Sequence, residues 1–247
     1  MKVSVTEIKD CYNPDEKLDD DSLWLVKFVV RPVSFYLSVL FIELSFSANG
    51  VTWLSMLLGV IGSLFLALGS GFELIGCLLL IIWLILDHVD GNLARYYKTQ
   101  SKYGDFLDTI ACYLVLALFP LGLGVGAYFK EESFIIPFYV LLFGALCSLL
   151  SILPRLFYQK MKAYNFDEQG YQGTISINTG TSTVGRSIYA LYRLVINAIN
   201  PSGFLFIILF VSIWLDFSAL FLIVYTFILF IAFLFSFYKI IRQMENK

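Results

Sequence analysis

Charge is what this sequence has least of: only 15% of its 247 residues are Asp, Glu, Lys or Arg, against roughly 25% in ordinary soluble domains. Too few polar groups remain to cover a water-facing surface, which excludes a soluble globule. Cysteine is sparse as well. Cys11, Cys77, Cys112 and Cys147 stand far apart and three of them sit in apolar runs, so neither a metal-finger spacing nor a disulfide framework is present. The six prolines are scattered, which excludes collagen-like and low-complexity chains. A net charge of −2, from 17 basic and 19 acidic residues, gives no case for nucleic-acid binding. The first 22 residues are polar and acidic and lack the basic start and short apolar core of a cleavable signal. No internal repeat is visible, which argues against a transporter built from two related halves.

What is present is apolar length. The chain is 59% hydrophobic and 17% aromatic, and its mean hydropathy is +0.79. Six runs, at about 51–69, 73–95, 104–128, 134–157, 189–213 and 217–238, each approach the roughly 20 residues that cross a bilayer. The expected fold is all-α, a polytopic membrane bundle of six transmembrane helices. Residues 23–46 are apolar but interrupted by Lys27, Arg31, Pro32 and Glu43, which suits an N-terminal amphipathic interfacial helix better than a span. Lys27 and Arg31 are expected to face head groups while Trp24, Phe28 and Phe35 dip into the boundary, with Pro32 breaking the helix in two. The plan is thus a polar segment 1–22, the interfacial region 23–46, a six-span domain 47–242 with a polar loop at 158–188, and a tail 243–247. With a cytoplasmic N-terminus, sixteen of the seventeen Lys and Arg residues fall on the cytoplasmic side and only Lys130 outside, as the positive-inside rule requires. Both termini and the 158–188 loop are then cytoplasmic.

Four acids lie within 22 residues, Asp87, Asp90, Asp105 and Asp108, where one apolar run ends and the next begins. Charge at such a place points to function. At 100° per residue, Asp87, Asp90, Gly91, Ala94 and Arg95 share roughly 140° of one helix face. Gly104 and Asp108 share a face of the next helix, as do Asp105 and Asp108, and the eight-residue connection 96–103 is expected to make the two helices neighbours. Clustered carboxylates repel unless a cation sits among them, and hard oxygen ligands select Mg²⁺ or Mn²⁺ over zinc. Gly91 and Ala94 leave room for a planar or phosphorylated group, and Arg95 offers a fork to phosphate oxygens. The residues read as a site for metal-assisted phosphoryl-type transfer, open to the cytoplasm. A channel would spread acids through the bilayer depth, yet the last three spans hold only Asp216.

This stretch closely resembles the signature of the CDP-alcohol phosphotransferase family, D-x-x-D-G-x-x-A-R, eight residues, then G-x-x-x-D-x-x-x-D. Asp87, Asp90, Gly91, Ala94, Arg95, Gly104 and Asp108 match in register. Ser47 to Thr52 resembles the family's PN-x-x-T start of the first span, without the proline, and the expected layout of one interfacial helix plus six spans agrees. The resemblance implies an integral-membrane transferase of phospholipid biosynthesis that takes a CDP-linked donor such as CDP-diacylglycerol, releases CMP and delivers a substituted phosphate to an alcohol acceptor. It implies divalent cations held by Asp87, Asp90 and Asp108, substrate contacts at Thr52, Gly91, Ala94, Arg95 and Gly104, and a homodimer among membrane lipids. The family's last aspartate, its usual base, is Cys112 here. Asp105 supplies the missing carboxylate, or His88 acts as base, or water or the acceptor's own phosphate takes the proton; a catalytically impaired member binding a CDP-linked lipid or nucleotide is the alternative. Arg155, Arg186 and Arg193 are either acceptor-phosphate ligands or head-group anchors.

Overall fold

The computed structural model describes residues 3–12, 17, 20–69, 71–130, 137–163, 197–198 and 200–245. Among them the elements are helical and there is no strand: α1 Val5–Asp10, α2 Arg31–Glu43, α3 Ala48–Leu68, α4 Glu73–Tyr96, α5 Lys102–Phe129, α6 Pro137–Ala163, α7 Leu205–Trp214 and α8 Ser218–Glu245. Five of these, α3, α4, α5, α6 and α8, are long and apolar enough to cross a membrane. Residues 189–196 and 199 of the expected fifth span lie outside the described residues, and α7 occupies its C-terminal part. The expected loop at 158–188 is also outside them from residue 164 onward, while α6 continues as helix through Ala163.

The N-terminal region departs from expectation in two ways. Pro32 does not break the helix. A wide turn over Val26–Val30, in which the Arg31 N–H reaches back five residues to the Val26 carbonyl, leads straight into α2 with Pro32 in its first turn, where a proline costs no helical hydrogen bond. Arg31 and Phe35 do not face head groups and boundary but turn inward. The face of α2 against the protein carries Ser34, Phe35, Ser38 and Ile42, while Phe28, Val33, Tyr36 and Leu40 are exposed. The two serines donate to carbonyls of their own helix at 2.9 and 2.7 Å, leaving lone pairs that a neighbour can use. A helix with part of its polar surface inside and apolar residues outside is suited to lipid rather than water.

Small residues let the spans approach to backbone contact, which drives helix association where lipid is as apolar as leucine. At the α3–α4 crossing a Cβ on Gly76 would stand 2.6 Å from the Gly62 carbonyl oxygen, and at the α3–α5 crossing a Cβ on Gly122 would stand 2.3 Å from that of Ser63. Here α3 is therefore the hub. Both α4 and α5 pack along it and touch each other little, so the two motif helices are bridged by α3 rather than packed side by side. The wedge between them is filled at mid-depth by α7, whose Phe206 ring meets Trp83 at 6.1 Å and Phe119 at 5.5 Å. Towards the far end, Lys130 joins Glu73 at 3.6 Å and Asp216 at 2.7 Å, tying α4, α5 and the α7–α8 turn together.

Pro120 lies inside α5 and removes the N–H that would have bonded the Leu116 carbonyl. Ser151 of α6 repairs the loss: its hydroxyl stands 2.9 Å from the Leu116 oxygen and 2.8 Å from that of Ser148. In hydrocarbon such freed groups must be satisfied internally. Ser151→Ala is therefore expected to destabilise the protein by about 1 kcal/mol, read as a lower melting temperature in detergent. Gly122→Ala, which drives a methyl into the Ser63 carbonyl, should cost about 1–3 kcal/mol; unchanged melting would show that α3 and α5 are not in backbone contact.

Candidate active site

Serine caps and one left-handed residue bring the motif helices into register. Ser47 caps α3 by accepting from the Gly50 N–H at 3.1 Å, and Ser101 caps α5 by accepting from the Gly104 N–H at 3.1 Å. After α4, Lys98 takes φ 55° and the Thr99 N–H closes on the Ala94 carbonyl at 2.9 Å, a Schellman-type ending that turns the chain sharply. The eight-residue connection is this ending followed by the Ser101 cap. Asn49, on the first turn of α3, is thereby set beside Gly104, where a Cβ would lie 3.3 Å from its Oδ1.

The carboxylates meet where α4 and α5 leave α3. Asp87 and Asp108 stand within side-chain hydrogen-bonding reach of each other across the wedge, and Asp90 is within electrostatic range of both. Asp90 is buried and its Oδ2 accepts from the Thr52 hydroxyl at 2.6 Å; Thr52 shares its proton with neither water nor substrate while that bond holds. Asp87 Oδ1 is buried with no partner among the described residues, and so is Trp83 Nε1, one turn back on α4. Asp105 is exposed in the first turn of α5 and lies within electrostatic range of Asp108.

Other expected residues are distributed around this centre. The group lying over Gly91 is the guanidinium of Arg95, whose nitrogens would stand 3.3 and 3.4 Å from a Cβ there, so the glycine makes room for the chain's own arginine. Ala94, at the same helix end, is half-buried. Cys112 is half-buried and packs on the main hydrophobic core, within electrostatic range of Asp87, Asp108 and Arg155. His88 donates from Nδ1 to the Leu84 carbonyl at 2.9 Å, and Arg31, Asp20 and Arg95 are within its electrostatic range. Arg155 is exposed on α6, whereas Arg186 and Arg193 are outside the described residues. Sequence reasoning missed Asn92. It is buried and accepts at Oδ1 from Arg95 at 2.9 Å and from Arg31 at 3.3 Å, while its amide donates to Ser34 at 3.2 Å and Ser38 at 3.1 Å. A buried amide in an apolar span, three residues before a motif arginine, was the available signal.

Does this donor set fit a divalent cation? Two half-buried carboxylates this close repel unless a proton or a cation lies between them, and Asp87 Oδ1 is a buried oxygen with no donor among the described residues. Both features suit a hard cation with oxygen ligands. Among the described residues, no three His, Cys, Asp or Glu side chains form a ready-made shell. One oxygen of the third acid, Asp90, is held by Thr52, and Mg²⁺ ordinarily completes its shell with water and substrate phosphate.

Comparison with known proteins agrees with the geometry. Among curated proteins none matches the chain. The family model described as CDP-alcohol phosphatidyltransferase matches residues 45–238, a stretch that begins at the turn before α3 and reaches well into α8. With the paired carboxylates, the capped helix starts and the apolar spans all inside that stretch, this chain belongs to the CDP-alcohol phosphatidyltransferase family.

Proposed function

We propose that the protein transfers a phosphatidyl group from CDP-diacylglycerol, or a related CDP-linked lipid, to the hydroxyl of an alcohol acceptor, releasing CMP, as a step of phospholipid biosynthesis. The observation that carries this reading is the Asp87–Asp108 contact with an orphaned Asp87 oxygen, set beside the Thr52-bound Asp90. Diphosphate chemistry needs positive charge brought to an acidic site, and this cluster has the oxygens to hold it.

In this proposal Asp87, Asp90 and Asp108 hold Mg²⁺ or Mn²⁺, which when bound would polarise the diphosphate and offset charge on departing CMP. Thr52 orients Asp90 by donating to Oδ2. Gly91, Ala94 and Gly104 keep the two helix ends narrow, and Arg95 presents its guanidinium to phosphate oxygens. The acceptor hydroxyl oxygen forms a bond to the lipid-bearing phosphorus, the bond from that phosphorus to the CMP oxygen breaks, and CMP leaves with the electron pair. Asp105, exposed beside Asp108, takes the hydroxyl proton in place of the absent aspartate. The site and both termini lie on the cytoplasmic side, following the basic residues, and a second copy of the chain is the expected partner. One observation favours the alternative of an impaired, CDP-ligand-binding member: Cys112 packs with the hydrophobic core and brings no oxygen to the site.

Purified protein with CDP-diacylglycerol, Mg²⁺ or Mn²⁺ and a panel of alcohols should release CMP, and chelation should stop it. Asp90→Asn should lower the rate by about a hundredfold or more, and a fully active Asp90→Asn protein would end this reading. Asp105→Asn keeps the volume and removes the charge; a loss of about a hundredfold is expected for a base, and a wild-type rate with unchanged metal dependence would exclude that role. If the natural chain releases no CMP and Cys112→Asp does, the impaired reading is the correct one.

A further inference from the structure

Asn92 lies at a fixed-motif-free position between Gly91 and Arg95, yet its hydrogen bonding is complete. An amide group has two donor hydrogens and one oxygen with two lone pairs. Both donors are used on α2, at Ser34 and Ser38, and both lone pairs are used on guanidinium groups, of Arg95 and Arg31. The serines can accept because their own protons are spent on the carbonyls of Arg31 and Ser34. This fixes the amide plane, and through it the direction from which Arg95 is held. Around the pair of arginines stands the N-terminal segment: Tyr12 lies under both, with its ring centroid 4.6 Å from the Arg31 guanidinium carbon and 5.9 Å from that of Arg95. Asp20 receives both the Tyr12 hydroxyl and Arg31 Nε.

Two like charges converging on one carbonyl oxygen is costly unless the arrangement serves both. We propose that Asn92 is a positioning residue, which aims Arg95 at the phosphate groups of the donor and locks that arginine to Arg31 and α2. The inference rests on the transferase reading above and goes beyond it by assigning the control of Arg95 to a buried amide and to the N-terminal segment. Asn92 touches no substrate in this scheme and acts through Arg95.

The test is a double-mutant cycle on CDP binding, by isothermal titration of CDP with Mg²⁺ into the full-length protein in detergent. Asn92→Ala should weaken CDP binding about tenfold when Arg95 is present and by less than about twofold in the Arg95→Met background, because a side chain that acts through Arg95 has nothing to aim once the guanidinium is gone. Equal losses in the two backgrounds overturn the proposal and leave Asn92 a packing residue, whose removal would lower the melting temperature without coupling to Arg95. Should Asn92→Ala fail to fold, the Ser34→Ala, Ser38→Ala chain keeps Asn92 but frees its amide to rotate, and the same cycle is read with that pair. A natural chain that binds no CDP under these conditions overturns the transferase reading and this inference together, whereas CDP binding with an additive cycle overturns the inference alone.

Discussion

Everything at the working end of this protein depends on two carboxyl groups, Asp87 and Asp108, being held in contact inside an apolar bundle. Left alone, such a pair drives its helices apart. The fold answers by fixing α4 and α5 not to each other but to a third helix, through glycines that bring backbone against backbone, and by wedging Phe206 between them at mid-depth. The helices are thus close enough to share a ligand and are prevented from closing on it. The repulsion is retained as binding potential for whatever positive charge arrives.

The polar groups of the N-terminal region follow the same economy. In a chain with so little charge, Asp20, Arg31 and Arg95 are spent within one network with Tyr12 and Asn92. Around it a second apolar cluster forms from Ile8, Phe35, Ile42, Ala48, Val51, Leu86, Val89 and Leu93. The α1–α2 region is therefore packed into the same network as the Arg95 end of the candidate site.

Much of this was legible in the sequence. Run lengths placed α3, α4 and α5 to within a few residues, since long apolar helices in a bilayer have little freedom in where they begin and end. The motif spacing put the aspartates on one face because helical periodicity is rigid. What escaped was tertiary. Nothing in the pattern of Lys27, Arg31 and Pro32 revealed that Arg31 would turn inward, because its partners Asp20 and Asn92 lie 11 and 61 residues away. Likewise the short connection between α4 and α5 suggested packed neighbours, whereas the glycines that decide the matter are on α3 and on the far halves of both helices. Pro32 misled for a local reason: a helix breaker in mid-helix is an acceptable residue when a wide turn precedes it.

The ion cluster at Lys130 gives the bundle a mechanical asymmetry. Glu73 at the start of α4, Lys130 at the end of α5 and Asp216 in the α7–α8 turn are fastened together, and beside them Gly69 and Gly126 meet backbone to backbone. That end is a pivot. Any swing of α4 relative to α5 is smallest there and grows with distance along the helices, so a few degrees of rotation, absorbed near Phe206, translates into ångströms at the aspartates. Asp87 and Asp108 thus stand at the tips of a forceps whose joint is the Lys130 cluster at the other end of the bundle.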